Sequence, residues 1–483
     1  MWERFSFYGM RALLIFYLTQ HFLFSDADAA SIYASYGALV YLTPVIGGLV
    51  ADRYLGFRRA VIVGAVLLCI GHLGMAFEGE AAIYTGAVGG VVRDTIALQV
   101  MYASIAFIIV GVGFLKPSIS SIVGSLYKKD DPRRDGGFTL FYMGINVGAM
   151  TSALACGYLG QTYGWAYGFG LAGVGMLLGL VTFMRGKHLL GGAGEAPDLW
   201  TPSRSRIMVA GALGAVVIAW QLMQWREVVG GLVMLTAVVA VGGIVIYSFL
   251  RLTRIERDRM LVVLLLTGVS VVFWAFFEQA GSSMNLFTER NIDREVFGIT
   301  LQASQLQSLN PGFIILLAPF FSWLWVALAR RGQEPSTPAK FGLGVVQVGL
   351  GFVALVQGAA SASGDGMVAL GWLALAYLLH TTGELCLSPV GLSMVTKLSV
   401  PRVVGLMMGV WFLSSAFSHY VAGIIAAGAS VSDGSGQVVS AIDSLPIYTE
   451  TFSYLGVVAV GVGCVVLMVS PFIRRYMHPE VKR

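Results

Sequence analysis

Fourteen apolar runs, each about 20 residues long, follow one another along this 483-residue chain. An apolar α-helix needs ~20 residues to cross the hydrocarbon core of a bilayer. Transmembrane β-strands would instead read as short segments of alternating hydrophobicity, and the sequence lacks that pattern. The predicted spans are 5–23, 31–51, 60–77, 98–124, 138–159, 164–184, 207–223, 228–249, 260–287, 302–328, 340–361, 368–396, 403–427 and 452–473. We therefore predict an all-α integral membrane protein with fourteen transmembrane helices.

The composition agrees with this prediction, because 57% of the residues are hydrophobic and only 12% are charged. Soluble globular chains carry about 25% charged residues. The 61 glycines also fit, since small residues let membrane helices approach closely. Cys69, Cys156, Cys386 and Cys464 all fall inside apolar runs. We interpret them as buried apolar side chains rather than disulfide partners.

Lysine and arginine concentrate in alternate loops, and cytoplasmic loops are the basic ones in membrane proteins. Outside the hairpin described below, the opposite loops carry only Arg93, Arg290 and Arg294, and the loops Ser25–Ala30 and Ser430–Glu450 contain acidic residues but no lysine or arginine. Both termini are therefore predicted on the cytoplasmic side. The basic set comprises Arg53, Arg58, Arg59, Lys128, Lys129, Arg133, Arg134, Arg185, Lys187, Arg330, Arg331, Lys340, Lys397, Arg402, Arg474, Arg475, Lys482 and Arg483.

This alternation holds only if the helices 207–223 and 228–249 form a hairpin inserted between two six-helix halves. The ends of that hairpin are basic, at Arg204, Arg206, Arg251 and Arg254, so both ends are predicted to be cytoplasmic. The predicted domains are an N-terminal bundle (1–185), a linker with the hairpin (186–258) and a C-terminal bundle (259–483). Two six-helix halves resemble the major facilitator fold, in which the substrate site lies near the membrane midplane.

The segment 47–59 strengthens that resemblance, because it matches the cytoplasmic G-x-x-x-D-R-x-G-R-R loop of the same superfamily. An aspartate at a helix end can cap a neighbouring helix and hold an arginine across an interface. We interpret Asp52, Arg53 and Arg58 as a conformational latch. Anchoring of basic residues at the cytoplasmic surface is the alternative, but it would explain the arginines alone.

Three charges of both signs, Lys116, Glu278 and Glu384, lie inside predicted spans. A charge at the bilayer centre costs ~2.5–3.5 kcal/mol on insertion scales, so such residues usually serve transport. Lys116 precedes Pro117, which can kink a helix, and it either lines a pocket or belongs to a structural ion pair. The aromatic neighbours of Glu278 would shield it from water, as a proton carrier requires.

Further polar residues could extend this set. His380 lies four residues before Glu384, and we favour the polar rim of a pocket over a metal site, because no other ligands cluster nearby. Arg4, Tyr8 and Arg11 share one helix face and either form a seat for a carboxylate or flank the membrane. Two lone amides in apolar spans, at Asn146 and Asn310, either contact a ligand or bond between helices.

Several motifs in the chain, taken together, resemble the proton-coupled oligopeptide transporter family of the major facilitator superfamily. The resemblance covers essentially the whole chain, and bacterial members carry the additional hairpin. The motifs are Glu3-Arg4-Phe5-x-Phe7-Tyr8-Gly9, Lys116-Pro117, Phe141-Tyr142-x-x-Ile145-Asn146-x-Gly148, Asn310-Pro311-x-Phe313 and Glu384-Leu385-x-x-Ser388-Pro389-x-Gly391-Leu392.

The resemblance implies a monomeric symporter that imports di- and tripeptides with protons across a bacterial cytoplasmic membrane by alternating access. It implies no metal ion, cofactor or nucleic-acid partner. It also implies residue roles. Arg4 and Lys116 would bind the peptide carboxylate, and Arg11 would pair with Glu278 as a gate, with Glu3 and Glu278 in proton coupling. The remaining substrate-binding positions are Glu384, Asn146 and Asn310 for the ammonium group, Tyr8, Tyr41, Trp274 and Trp411 for side chains, and Ser388.

Two departures from the family pattern are visible. Position 7 is Phe where Tyr is usual, and the family has a further glutamate three residues before Glu3, so we expect the natural chain to extend upstream of Met1. An alternative function is a carrier of the same fold for nitrate or another non-peptide anion, which would not need Glu384. The chain has no nucleophile–base–acid set and no phosphate-binding G-x-x-x-x-G-K-[ST] loop, so we predict neither an enzyme nor an ATP-driven pump.

Overall fold

The structure is a computed structural model that describes residues 1–86, 90–127, 131, 133–195, 202–432 and 439–478, without the side chains of 134–135 and 202–205. The predicted loop cations Lys128, Lys129, Lys482 and Arg483 fall outside the described residues, as do the side chains of Arg134 and Arg204. Sixteen helices appear in the described part. They are α1 Trp2–Phe16, α2 Asp26–Val50, α3 Phe57–Gly74, α4 Thr95–Ser125, α5 Arg133–Tyr163, α6 Trp165–Gly186, α7 Pro202–Gln224, α8 Arg226–Arg251, α9 Arg254–Phe277, α10 Ser283–Asn291, α11 Ala303–Leu306, α12 Leu309–Arg330, α13 Thr337–Ala360, α14 Leu370–Leu398, α15 Val404–Gly428 and α16 Ala441–Tyr476.

Short irregular elements complete the described chain. π-helical turns at Tyr17–His21 and Ala51–Leu55 extend α1 and α2, and 3₁₀ turns follow α6 at Lys187–Leu190 and α9 at Glu278–Gly281. Six strands of two residues each form two-stranded sheets in the order β1–β2, β3–β6 and β4–β5. They are β1 Ile83–Tyr84, β2 Val91–Val92, β3 Ile292–Asp293, β4 Glu295–Val296, β5 Ile299–Thr300 and β6 Val368–Ala369. The all-α prediction is confirmed.

Thirteen helices among the described residues are long and apolar enough to cross a membrane. The first predicted span, 5–23, is not one of them. Its helix α1 has 15 residues before the π-helical turn, and it carries Glu3, Arg4 and Arg11. Two further spans are interrupted: 260–287 breaks at the 3₁₀ turn Glu278–Gly281, and 302–328 divides into α11 and α12.

The last helix, α16, begins eleven residues before the predicted span 452–473. The predicted topology has Ser430–Glu450 as an outer loop. In the structure Ser440 caps the helix, with its hydroxyl accepting a hydrogen bond from the Asp443 backbone at 3.1 Å. Because a side-chain cap satisfies an otherwise orphaned backbone donor, the helix starts within this polar segment.

The described chain divides into two compact units. The first contains Met1–Val229, Val296–Pro311 and Ser432, and the remaining described residues form the second. In the first unit α1 packs against α5 and α6, while α2 and α3 pack against α4. The backbones come very close at Gly47, where an added Cβ would lie 2.1 Å from the Gly113 carbonyl oxygen. Glycine at this position therefore brings α2 and α4 together and places their polar residues side by side.

The second unit is built around α13, which packs against α14 and α16, and around α9, which packs against α15. Glycine again allows the closest approach, because a Cβ at Gly349 would lie 2.8 Å from the Ala459 Cβ. Asn291, at the end of α10, is fully buried and donates to the carbonyl oxygens of Gly366 and Ala441. These contacts hold the end of α10 against the loop after α13 and the start of α16.

The helices of the predicted hairpin contact different units. The α7 helix packs against α4 and α2 of the first unit, where Trp220 Nε1 donates to Gln99 Oε1 at 3.1 Å. Most of α8 belongs to the second unit, and an added Cβ at Gly230 would lie 2.4 Å from the ring of Tyr420. The three-part domain division 1–185, 186–258 and 259–483 stays a prediction.

Candidate functional site

The first cluster of polar residues surrounds Arg4 in α1. Its Nε lies 2.9 Å from Glu3 Oε2, and both side chains are largely buried, at 12% and 14% exposed. The Arg4 guanidinium also lies 5.7 Å from the centre of the Phe7 ring. Three tyrosines, Tyr8, Tyr36 and Tyr41, are close enough to Arg4 for electrostatic interaction. The predicted carboxylate seat therefore has a buried cation with several hydroxyl-bearing neighbours.

Lys116 belongs to the same surroundings. Its Nζ lies 3.8 Å from the centre of the Tyr41 ring, a distance at which a cation is attracted by the face of an aromatic ring. Tyr41 on α2 thus lies close to both Lys116 and Arg4. The close approach of α2 and α4 makes this possible, and Pro117 itself packs beside Gly48. The structure brings together Arg4, Tyr8, Tyr41 and Lys116, four of the predicted substrate-binding residues.

Arg11 lies further along α1, beyond Tyr8. Its Nε donates to the Tyr33 hydroxyl at 2.5 Å, and its guanidinium lies 5.7 Å from the centre of the same ring. Tyr33 was not among the sequence candidates. The predicted gate pair between Arg11 and Glu278 stays a prediction, because the two residues belong to different units.

In the second unit, Glu278 lies against a histidine. The Nε2 atom of His419 on α15 is 3.6 Å from Glu278 Oε1, and the two side chains are 5% and 6% exposed. The next residue, Gln279, donates to the Ala422 carbonyl oxygen at 3.1 Å, which holds the turn against α15. No sequence pattern indicates His419, because it lies 141 positions after Glu278 in the chain and only the packing of α15 brings the two together.

Two tryptophans predicted to line side-chain pockets have defined neighbours in the second unit. Trp274 lies edge-on to Phe273 and Phe277, with ring centroids 5.2 Å away. Trp411 is buried against Gly391, where an added Cβ would lie 2.2 Å from the indole ring. Glu384 and Ser388 are half-buried one turn apart on α14, and the structure places these two beside one another.

His380 differs from the prediction of a polar pocket rim shared with Glu384. It is buried at 1% exposed, and its Nε2 lies 3.1 Å from the Val348 carbonyl oxygen. The rings of Phe352 and Phe277 lie 4.9 and 6.3 Å from it. Because the imidazole is enclosed by aromatic rings and bonded to a backbone carbonyl, it belongs to the core of this unit. No group of three potential metal ligands occurs in the described part of the chain.

The two predicted amides differ in their positions. Asn146 is 6% exposed, and its Nδ2 donates to the Tyr142 carbonyl oxygen one turn earlier in α5. This bond is within its own helix rather than between helices. Asn310 lies in the first turn of α12 and is half-buried. It belongs to the first unit together with Arg4 and Lys116, although the prediction grouped it with the second half.

The proposed latch residues have separate environments. Asp52 and Arg53 are exposed in the π-helical turn after α2. The N-cap residue of α3 is Gly56, and no side chain accepts a hydrogen bond at the start of that helix. Arg58 instead binds the segment after α6: its Nε donates to the Ala193 carbonyl oxygen at 2.7 Å, a second nitrogen to the Gly191 carbonyl oxygen, and Nη1 pairs with Glu195 at 2.9 Å. The structure therefore connects Arg58 to the linker that leads into the hairpin.

Comparison with known proteins agrees with the fold. A model of the POT family matches residues 58–442. The chain belongs to the POT family. It is 36% identical to the uncharacterized transporter YclF of Bacillus subtilis (strain 168), over 99% of this chain and 92% of that protein. It is 32% identical to the dipeptide and tripeptide permease A of Pectobacterium carotovorum, over 98% of this chain and 90% of that protein.

The fold has close counterparts among solved structures of this family. A crystal structure of a mutant peptide transporter POT in complex with alafosfalin matches with a TM-score of 0.82 and 38% identity, covering 99% of this chain and 93% of the other. The chain is therefore a multi-pass membrane transporter with the major facilitator fold, and it is not an enzyme.

Proposed function

We propose that this POT-family member is a proton-coupled symporter that imports di- and tripeptides across the inner membrane of a bacterium. The main support is the placement of two cations, Arg4 and Lys116, around Tyr41 inside an apolar helical unit. Two neighbouring cations suit one carboxylate, because arginine binds it with two parallel hydrogen bonds and lysine adds a point charge. The relative named for dipeptides and tripeptides supports the peptide assignment.

A short peptide is a zwitterion, so its ammonium group requires an acidic partner. We assign this role to Glu384 on α14, with Asn146, Asn310 and Ser388 as further polar contacts and Tyr8, Trp274 and Trp411 around the side chains. The charged ends are common to all di- and tripeptides, and water can fill unused pocket space. Broad tolerance of side chains follows from this arrangement.

The transport cycle follows the alternating access of two helical bundles. In the outward-open state Glu278 carries the coupled proton, and Arg4 and Lys116 accept the peptide carboxylate. Arg11 then loses its attraction to Glu278, and the peptide draws the two bundles together. Inward release of the proton restores the pairs of cations and carboxylates, which resets the carrier. Both termini lie on the cytoplasmic side, and the protein works as a monomer.

Uptake into liposomes tests this function. Purified protein should accumulate labelled dialanine when an inward proton gradient is imposed, and Lys116→Ala should reduce uptake at least tenfold, because a charge-assisted bond to the substrate is lost. If dialanine uptake by the parent protein does not depend on the proton gradient, proton coupling is contradicted. Full activity of Lys116→Ala would contradict the site.

A second variant distinguishes peptides from the alternative substrate, which is nitrate or another anion without an ammonium group. Glu384→Gln keeps the shape of the side chain but removes its charge. If peptides are the substrate, this variant should bind dialanine at least tenfold more weakly. Normal dialanine transport by Glu384→Gln, with nitrate competing for uptake, would favour the anion carrier.

A further inference from the structure

Two buried oxygen atoms in the Arg4 cluster have no hydrogen-bond partner among the residues that the structure describes: Glu3 Oε1 and the Tyr36 hydroxyl. The Tyr36 side chain is 1% exposed. A polar atom buried without a partner is unfavourable. The two are chemically complementary, since an ionised carboxylate only accepts hydrogen bonds and a phenol can donate one.

Both atoms belong to one electrostatic environment. The charged and titratable groups that act on Tyr36 are Arg11, Tyr33, Glu3 and Tyr41, and Arg4 interacts with it as well. The Tyr36 ring lies 6.2 Å from the ring of Phe7. Phe7 is four residues after Glu3 in α1, so both project from the same face of that helix. Tyr36 therefore packs beside the face that carries Glu3.

In this structure Glu3 is neutralised by its neighbour, because Oε2 lies 2.9 Å from Arg4 Nε. A peptide carboxylate that binds Arg4 competes with Glu3 for the same guanidinium. Glu3 would then remain in an apolar interior without its cation, which is strongly unfavourable unless another group donates to it. Among the residues that the structure describes, the Tyr36 hydroxyl lacks a partner and lies in the same cluster.

We propose that Tyr36 is a positioning residue for substrate binding: its hydroxyl donates to Glu3 when a substrate carboxylate takes Arg4. Glu3 thereby replaces its contact with Arg4 by a contact with Tyr36, and no proton moves between Glu3 and Tyr36. The hydrogen bond is charge-assisted and therefore stronger than one between neutral groups. Tyr36 thus favours the arrangement in which Arg4 is available to substrate. This inference rests on the proposed peptide function, since it requires a substrate with a carboxylate.

The test is Tyr36→Phe, which removes one oxygen atom and keeps the ring. Exchange of labelled dialanine across liposomes, at equal pH on both sides, reports substrate binding without a proton gradient. The KM for dialanine should rise about tenfold, while the maximal exchange rate stays within twofold. Tyr17→Phe is the matched control: Tyr17 is fully buried in the same unit, and its hydroxyl donates to the Glu78 carbonyl oxygen, outside the cluster. Its KM should stay unchanged.

A double-mutant cycle separates this role from a structural one. Glu3→Gln has no charge to stabilise, so in that background Tyr36→Phe should change KM less than twofold. Equal effects of Tyr36→Phe in both backgrounds, or an unchanged KM in the parent background, would overturn the inference. Tyr36→Phe should also keep or raise the melting temperature of the substrate-free protein, because it removes an unpartnered hydroxyl. A clear fall in that temperature would overturn the inference too.

The outcome for the parent protein distinguishes the two proposals. If the parent exchanges dialanine and Tyr36→Phe has the parent KM, the role of Tyr36 fails and the peptide function stands. If the parent exchanges no dialanine, the peptide function fails, and the role of Tyr36 in binding a peptide carboxylate fails with it.

Discussion

At the residue scale, the protein places charges inside an apolar interior and surrounds each with a specific partner. Arg4 has Glu3, Lys116 has the ring of Tyr41, and Glu278 has His419. The arrangement is costly unless partners are present, because a buried charge without one is strongly unfavourable. The chain therefore retains these residues at positions where a carrier requires charges that can change partners.

Two buried histidines illustrate the difference between a partnered and an unpartnered polar group. Both ring nitrogens of His72 on α3 lack a hydrogen-bond partner in the described part of the chain, although the residue is 1% exposed. His380 differs, because its Nε2 has the Val348 carbonyl oxygen as a partner and only its Nδ1 lacks one among the described residues. Leucine has a similar volume and no polar atoms, so we expect His72→Leu to raise the free energy of unfolding by about 1 kcal/mol.

Thermal unfolding in detergent checks this prediction, with His380→Leu as the matched control. That variant loses a hydrogen bond and should lower the melting temperature, while His72→Leu should raise it or leave it unchanged. Equal destabilisation by both substitutions would show that His72 has a favourable polar contact. Dialanine uptake by His72→Leu should match that of the parent protein, since no transport role is assigned to it.

At the element scale, glycine decides how closely neighbouring helices pack. An added Cβ at Gly47 would lie 2.1 Å from the Gly113 carbonyl oxygen, whereas one at Gly48 would lie 3.5 Å from the Pro117 Cβ, an ordinary contact. Gly47→Ala should therefore destabilise the protein by about 1–3 kcal/mol, the usual range for overpacking. Gly48→Ala should be neutral or slightly stabilising, because alanine favours helix more than glycine does.

The same pair of variants also tests the site. Separation of α2 from α4 would move Tyr41 away from Lys116, so Gly47→Ala should weaken dialanine binding as well as lower the melting temperature. Both properties can be measured on the same detergent-purified samples. If Gly47→Ala and Gly48→Ala have the same melting temperature, the close contact between α2 and α4 is wrong.

The start of α4 contributes a pH-dependent term to stability. The backbone N–H groups of Ala97, Glu80 and Ile96 donate to Asp94 and hold its pKa below the usual range. The stabilisation is therefore fully present above the unfolded-state pKa of about 3.9. It is lost as the pH falls through the lower folded-state pKa. Asp94→Ala removes this cap.

The direction of this pH dependence can be tested with the melting temperatures of the parent and Asp94→Ala proteins, measured at pH 7 and near pH 3. The difference between the two proteins should be largest at pH 7 and shrink in acid, where protonation weakens the cap of the parent. A difference that grows on acidification would contradict the assignment. Asp94→Asn serves as the control, because asparagine is also a good helix cap and does not titrate, so the difference in melting temperature between Asp94→Asn and Asp94→Ala should be the same at both pH values.

At the scale of the whole molecule, the described chain forms two units, and each contains its own buried charges. The predicted topology places the basic loops and both termini in the cytoplasm. Accessibility of single cysteines can test it in a background where Cys69, Cys156, Cys386 and Cys464 are replaced. Those four are free thiols in the structure, so their replacement breaks no disulfide.

Two exposed positions lie in loops predicted on opposite sides, Ala81 and Arg331. A membrane-impermeant maleimide should label Ala81→Cys in intact cells and Arg331→Cys only after permeabilisation, because the basic loop is predicted to face the cytoplasm. The reverse pattern would invert the topology. Labelling of both positions in intact cells would contradict the number of spans between them.

The sequence alone determined the helical membrane fold, because a backbone in lipid must satisfy its own hydrogen bonds and a crossing helix has a fixed minimum length. Runs of apolar residues therefore located most helices, and the charges inside those runs indicated Lys116, Glu278 and Glu384 as candidate site residues. Packing decided the partners of these charges. His419, Tyr36 and the linker held by Arg58 could not be foreseen, since a contact between distant segments depends on how each helix is rotated and how closely it approaches its neighbour. Those properties are set by many side chains acting together.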